Sequence, residues 1–277
     1  MKFENLIYKE IEETAWIILN RPEVMNALSM KLSEEIVEAI EIVRQSTKLK
    51  FLVIKGEGPN FCVGDDITEM IKWGNANDIT RRCRYYQNMA NQLEELDKMT
   101  IAAVDGYAVG GGLEITMVCD FVIATERSKW GMPEVDVGIT PGWGGTTRLS
   151  RLIGRRRAKE INLIGALHTS KKAVEWNLWN RVVANDQLDE EVERLLEVLK
   201  SKNQQGMRQL KFIINRGVEC DLYTAQGFEV LSGALTGAVS GFWKIKDADQ
   251  GKGILNFTDK GGLWQTRRKL AKDFWVD

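Results

Sequence analysis

The residue types able to do acid–base chemistry gather around two glycine-bearing turns. Gly110-Gly111-Gly112 lies between the apolar run Ile101-Ala102-Ala103-Val104 and an apolar helical pattern ending near Cys119. Glycine has no Cβ, so backbone there can approach another group closely and adopt positive φ without steric cost. A helix that begins in glycines offers unpaired N–H groups at its positive end. Such an end can receive developing negative charge. Glu114 follows within the first turn. Taken alone, the stretch fits two roles, a tight packing turn and a donor site. Gly64-Asp65 is a second turn of the same kind, after an apolar strand and before a short helical pattern. If the two turns converge, their N–H groups form a two-donor oxyanion hole, and losing one such donor typically costs ~10²–10³ in rate. Glu134, in Met132-Pro133-Glu134, precedes another glycine cluster at Gly142 to Gly145. Glu114 and Glu134 facing each other would hold one water, one carboxylate accepting a proton and the other, protonated, donating one. The competing role for Glu114 is that of a favourable dipole partner.

Other chemistries find little support. There is one histidine, His168, so a His-based triad or multi-histidine metal site lacks partners, and a structural role is expected for it. Cys62, Cys83, Cys119 and Cys220 form no CxxC pair and no zinc spacing. Three of them sit in apolar surroundings and read as small buried thiols, which suits a reducing compartment. The 38 basic and 39 acidic residues give a net charge of −1, with no general attraction to nucleic acid or an anionic membrane. Basic clusters at Arg155 to Arg157 and Arg267 to Lys269 read as solvated helix faces. The start of the chain has no apolar signal core, and no run approaches ~18 apolar residues, so a cytoplasmic protein is expected.

The elements that must position these groups follow from periodicity. Residues 5–19 read as two strands, stopped by Asn20-Arg21-Pro22, because proline cannot donate to a ladder. Ser29 reads as a helix N-cap, with Leu32, Ile36, Ile40 and Val43 on one face. Phe51 to Ile54, Ile101 to Val104, Phe121 to Ala124 and Val182 to Ala184 read as further strands. Helical pattern runs from about Asp78 to Leu96. Trp130 to Glu134 reads as the start of a loop, and the second glycine cluster opens a helix through Leu149 and Leu152. Residues 187–277 look largely helical. Strands alternating with helices over 277 residues favour an α/β layered domain with an appendage.

Five segments in order carry a family resemblance. They are Leu19-Asn20-Arg21-Pro22 with Met25-Asn26-Ala27-Leu28; Phe61 to Ile67; Asp105 to Glu114; Met132-Pro133-Glu134; and Thr140 to Gly145 with Thr147-Arg148-Leu149. The chain resembles the crotonase, or enoyl-CoA hydratase/isomerase, superfamily from residue 6 to about 185, and Asp247 to Phe257 resembles that family's C-terminal helix. The resemblance implies an α/β fold, a crotonase-like spiral of ββα units over residues 1–200. It implies a C-terminal helical trimerisation region over 201–277, building a homotrimer or homohexamer. It implies an acyl-CoA thioester substrate, with no free cofactor and no metal. The thioester oxygen would sit between the N–H groups of Asp65 and Gly111. CoA would run along Met25, Asn26, Ala27 and Leu28 and around Val63, Gly64 and Ile67, largely through backbone contacts. Gly142 matches the glycine that helps position the water.

Hydratases resemble this chain in carrying glutamate at both positions, whereas simple enoyl-CoA isomerases retain the second. The resemblance therefore implies hydration of a 2-enoyl-CoA, with Glu114 as base on water and Glu134 protonating the α-carbon. Relatives acting on special substrates remain open: carnitinyl-CoA dehydration, dienoyl-CoA isomerisation or hydration of a cyclic dienoyl-CoA. So does a non-catalytic scaffold of the RNA-binding kind, although the net charge and the intact glutamate pair speak against it. Two positions depart from the family pattern. Asp65 stands where a small or apolar residue is common, and its side chain is expected to turn toward a helix or loop amide. Trp143 stands where a smaller residue is common, and reads either as a wall shortening the acyl pocket or as a packing aromatic. Met70, Trp73, Tyr85, Tyr86 and Met89 lie in the segment that varies with acyl chain, and read first as core packing.

Overall fold

The computed structural model describes residues 3–240, 268–272 and 274. The chain opens with a hairpin, β1 (Leu6–Ile11) antiparallel to β2 (Thr14–Leu19), turning at Glu12. Every residue of β2 is buried. α1 (Met30–Gln45) follows, capped by Ser29, whose side chain accepts from the Leu32 N–H. Its face of Leu32, Ile36, Ile40 and Val43 is buried as the spacing predicts. Then come β3 (Phe51–Gly56), the single turn α2 (Ile67–Met70), α3 (Ala76–Glu94) and β4 (Met99–Val104). Next are β5 (Tyr107–Val109), α4 (Gly111–Met117), β6 (Phe121–Thr125) and β7 (Lys129–Gly131). The first unit closes with α5 (Thr147–Ile153), α6 (Arg155–Ile164), β8 (His168–Thr169), α7 (Ser170–Glu175) and β9 (Arg181–Val183).

The main sheet has the order β1-β2-β3-β4-β6-β9, parallel throughout beyond the hairpin. Its inner strands are apolar runs because a parallel sheet is covered on both faces; β4 has no exposed residue. A second sheet, β5-β7-β8, was not legible as strands. The expected loop at Trp130 to Glu134 in fact closes β7 with Trp130 and Gly131. Strands of two or three residues are too short to show alternation. This small sheet matters because β5 ends at the first glycine turn and β7 ends just before Glu134.

The chain divides into two compact units, Met1–Val192 and Glu193–Asp277. α8 (Leu188–Lys200) spans the division, and α9 (Gln204–Gly217) and α10 (Leu222–Ser240) belong to the second unit. There α9 and α10 meet through Phe212 and Phe228, ring centroids 5.5 Å apart. Asp247 to Phe257, the segment resembling the family's C-terminal helix, lies outside the described residues. Among the described residues, no helix is long and apolar enough to cross a membrane.

Candidate active site

The backbone brings the two glycine turns together. The extended stretch around Cys62 runs alongside β5: Cys62 N–H donates to the Tyr107 carbonyl at 2.9 Å, and Val109 N–H to the Cys62 carbonyl at 3.0 Å. Further on, Leu28 N–H donates to the Gly64 carbonyl at 2.8 Å and Asp66 N–H to the Leu28 carbonyl at 3.0 Å. In a parallel bridge of this kind the flanking residues bond to Leu28, so the Asp65 N–H points away from it. The switch of sides occurs at Gly64, whose φ of +90° suits glycine. A Cβ on Gly64 would lie 2.9 Å from the Gly111 nitrogen, so the two turns are in contact. Gly111 is the first residue of α4, and its N–H has no intrahelical acceptor.

Three carboxyl groups surround these turns. Glu114, on α4, is fully buried. Its Oε1 accepts from the Trp143 N–H at 3.0 Å and the Gly145 N–H at 2.7 Å, which leaves Oε2 without either amide. Burial pushes its pKa up to about 8 despite the two amide donors, which favour the anion. Glu134 sits on a 3-10 helix, Pro133–Val137, begun by proline and ended by left-handed Gly138. A Cβ on Gly110 would lie 3.1 Å from Glu134 Oε1, so this carboxyl stands at the α4 turn. Glu134 Oε2 is buried without a hydrogen-bond partner, and burial raises its pKa.

The third carboxyl belongs to Asp65, and the structure corrects the expectation that it turns to an amide. Its Oδ1 is buried without a partner, and burial, then the nearby Glu134, pushes its pKa up to about 7. The neighbouring Asp66 makes the amide contact instead. Its Oδ1 accepts from the Thr68 N–H at 3.0 Å and caps α2, while its Oδ2 pairs with Arg21 at 2.9 Å. In an extended stretch successive side chains point to opposite sides.

Trp143 takes the packing role open for it and also lies against the glycine turn. It stacks on Tyr86 at 5.4 Å with 20° between the planes, and a Cβ on Gly111 would lie 2.5 Å from its Cζ2. It is therefore a packed aromatic that also walls the donor turn. Tyr86 and Met89 are buried in the core, as expected. Met70 and Trp73 are only half-buried, and Trp73 borders a cleft of about 350 Å³ with Glu69, Lys72, Arg81 and Arg82. The Gly142 carbonyl accepts from Gln87 Nε2 at 2.8 Å, and a Cβ on Gly142 would lie 2.9 Å from Cys83 Sγ. Arg148 ties the same turn to α3: it donates to the Trp143 carbonyl at 2.8 Å and pairs with Glu94 at 2.7 Å.

Cys83, Gln87 and the two amides on Glu114 were missed in the sequence. Cys83, Tyr86 and Gln87 stand at i, i+3 and i+4 on α3, a spacing that marks one face. The expectation of three buried thiols is not met. Cys62 is fully buried, but Cys83 and Cys119 are half-buried and Cys220 is exposed. His168 packs between the rings of Trp130 and Trp176, 5.2 and 5.5 Å away, a structural position remote from the carboxyl groups in sequence and role.

The segment expected along CoA adjoins the donor turn through the Leu28–Asp65 bridge. Within it Met25 is exposed, Ala27 and Leu28 are buried, Val63 is half-buried and Ile67 is exposed. Asn26 is fully buried, and its side chain is spent on the fold. It accepts from the Arg21 N–H at 2.9 Å and donates to the carbonyls of Glu57 at 3.0 Å and Asn60 at 2.7 Å. Only its backbone is left for a ligand. Asp65, Gly111, Glu114, Glu134, Gly142 and Trp143 are thus gathered at one place, joined to the Met25–Leu28 segment through the Leu28–Asp65 bridge.

Comparison with known proteins agrees with this geometry. The family model for enoyl-CoA hydratase/isomerase matches residues 10–262. A crotonyl-CoA hydratase of Syntrophomonas wolfei is 35% identical over 261 residues, covering 94% of this chain and 97% of the relative. A short-chain-enoyl-CoA hydratase of Clostridium acetobutylicum is 35% identical over 230 residues, covering 83% and 88%. The solved structure of an enoyl-CoA hydratase from Bacillus anthracis superimposes with a TM-score of 0.82 at 30% identity, covering 92% of this chain and 96% of that one. A putative enoyl-CoA hydratase from Thermobifida fusca, solved in complex with CoA, gives 0.78 at 27% identity, covering 86% and 94%. A parallel sheet that sets two glycine turns against each other, and a match running through all five motif segments, have one common explanation: the chain belongs to the enoyl-CoA hydratase/isomerase family.

Proposed function

We propose that the protein is an enoyl-CoA hydratase, adding water reversibly across the double bond of a 2-enoyl-CoA thioester to give a 3-hydroxyacyl-CoA. The observation that carries this reading is the pair of glutamates at the Gly110–Gly111 turn, Glu114 fully buried and Glu134 half-buried. Each has an oxygen that no hydrogen bond of the fold claims. A water between them loses a proton to Glu114 and bonds to the β-carbon. Glu134 delivers a proton to the α-carbon. Negative charge moves to the thioester oxygen, where the N–H groups of Asp65 and Gly111 stabilise it. Holding water and alkene together removes much of the entropic barrier. The base form of Glu114 gains population as pH rises toward about 8, so the acid limb of the pH–rate profile belongs to it. Dehydration of the hydroxyacyl product uses the same groups with roles exchanged.

The route draws on carboxyl and amide groups alone and calls for no cofactor beyond the CoA of the substrate. CoA runs along the backbone of Met25 to Leu28 and past Val63 and Ile67. Trp143 against Gly111 favours a short acyl group, in keeping with the short-chain relative. The exposed apolar side chains Phe212, Ile214, Val230 and Leu231 of the second unit suit assembly into a trimer or hexamer. With a net charge of −1, neither nucleic acid nor a membrane surface is needed as a partner, and the cytoplasm suits a protein with free thiols.

The test is hydration of crotonyl-CoA followed by loss of enoyl absorbance. Wild type is expected to turn over, and Glu114→Gln and Glu134→Gln to lose ~10²–10⁴ in kcat with the fold intact. Undiminished turnover in both variants would sink the glutamate assignment.

A further inference from the structure

The mechanism uses the backbone of Asp65 and leaves its carboxyl unemployed. That carboxyl is the oddest group in the site. Its Oδ1 is buried and has no partner, as is true of Glu134 Oε2. A buried acceptor left unpaired is costly, and native structures rarely tolerate one without a reason. Asp65 follows Gly64, which abuts Gly111, and Gly111 lies against Trp143, which stacks on Tyr86. The unpartnered oxygen is thus buried beside the donor turns and the Trp143–Tyr86 stack, and its charge acts on Glu114, Cys83 and Tyr86.

We propose that Asp65 is a specificity residue, its carboxyl accepting a hydrogen bond from a donor group, a hydroxyl or an ammonium, carried on the acyl chain of the substrate. This rests on the hydratase reading and deepens it. The same residue gives its N–H to the thioester oxygen and bears a side chain only one methylene long. The donor must therefore sit on the first carbons of the acyl chain, at or just beyond the reacting double bond. A plain aliphatic acyl group cannot satisfy the oxygen and presses apolar surface against it, an arrangement that selects against such substrates. An ionised carboxylate here also opposes the charge building on the thioester oxygen. A donor on the substrate offsets that effect, and a methyl group does not.

The experiment measures kcat and KM for crotonyl-CoA, 4-hydroxycrotonyl-CoA and 4-aminocrotonyl-CoA with wild type, Asp65→Ala and Asp65→Asn. Wild type is expected to have a higher kcat/KM for at least one of the polar substrates than for crotonyl-CoA. Asp65→Ala is expected to lower that preference ratio by ~10–100-fold, largely through KM of the polar substrate, because a site built to bond a donor loses its discrimination with the acceptor. Asp65→Asn keeps an acceptor oxygen, so it retains preference for the hydroxyl and loses preference for the ammonium; this arm separates the two donors. Binding of unreactive butyryl-CoA and 4-hydroxybutyryl-CoA, followed by calorimetry, reads the same contrast without turnover, and thermal melting checks that each variant is folded. A wild-type preference for crotonyl-CoA over both polar substrates, or an unchanged ratio in folded Asp65→Ala, overturns the role of Asp65 while leaving the hydratase intact. Absence of turnover on all three substrates by wild type overturns the hydratase reading itself.

Discussion

Glu114 and Glu134 are the same side chain in two different seats. Glu114 grows from the first turn of a buried helix, and one of its oxygens is pinned by two amides. Glu134 stands on a short 3-10 helix, half-buried, with an oxygen that nothing in the fold holds. Under the roles proposed for them, the difference teaches how a base and an acid are made from one residue type. Burial favours the neutral form of both; what sets Glu114 apart is that two amides fix its position and partly offset that effect for its anion, whereas Glu134 keeps an unheld oxygen able to carry a proton. Both seats depend on the loop from Gly131 to Gly145, which carries Glu134 itself and supplies the amides that pin Glu114.

Among changes that leave both carboxyls in the chain, the largest expected effect comes from striking both seats at once. Gly110 has φ 52° and ψ −123°, a conformation that side chains avoid, and a Cβ there meets Glu134 Oε1 at 3.1 Å. Gly110→Ala is expected to cut kcat for crotonyl-CoA by ~10² or more, since a displacement near 1 Å of a reacting group has about that cost. It should also lower the melting temperature. Steady-state kinetics with a melting curve decide it, and near-normal turnover breaks the claim that this turn organises both carboxyls.

Stability against pH gives an intermediate effect and tells the seats apart. The Glu114 pKa stands near 8 in the fold against an ordinary 4.5, so the fold favours the protonated form. Its contribution is complete below pH 4.5 and is lost as pH rises to about 8. Asp65, near 7 against 3.8, behaves alike over a lower window. Each such group contributes a slope of up to about 1.4 kcal/mol per pH unit. Urea unfolding between pH 5 and 8 should therefore show wild type weakening, and Glu114→Gln removing more of that slope than Glu134→Gln. Equal slopes in the two variants would erase the distinction between a fully buried seat and a half-buried one.

The smallest effect tests the amide clamp alone. Gln87 donates to the Gly142 carbonyl beside the clamp. Gln87→Ala removes one hydrogen bond of about 1 kcal/mol, so kcat should fall roughly fivefold with KM nearly unchanged. A larger rise in KM than fall in kcat would show that Gln87 supports substrate binding rather than the base.

Much of the site was legible because its parts are local and chemical. Triple glycine, a carboxylate one turn later and a second glutamate after proline are all visible along the chain. The α1 face and the apolar parallel strands were equally plain. What escaped has one physical cause, that backbone and orientation carry no letter. The amides of Trp143 and Gly145 act on Glu114 through groups every residue possesses. In Asp65-Asp66 one carboxyl turns inward and the other caps a helix, and the choice is made by the backbone at Gly64. Asn26 looked like part of a ligand segment, yet its side chain ties Arg21, Glu57 and Asn60 together. The strands β5 and β7 were too short for a period to show.

The amides that seat Glu114 lie 29 and 31 residues further along the chain. During synthesis, β4, β5 and α4 therefore leave the ribosome before the partners of their central carboxyl exist. Until those amides dock, α4 can bury Glu114 only with its proton on, because nothing yet supports the anion. The donor turns thus precede the support of the carboxyl between them. A nascent chain ending before residue 143 would own strands β1 to β7 and both glycine turns, but its proposed base would still be an idle acid.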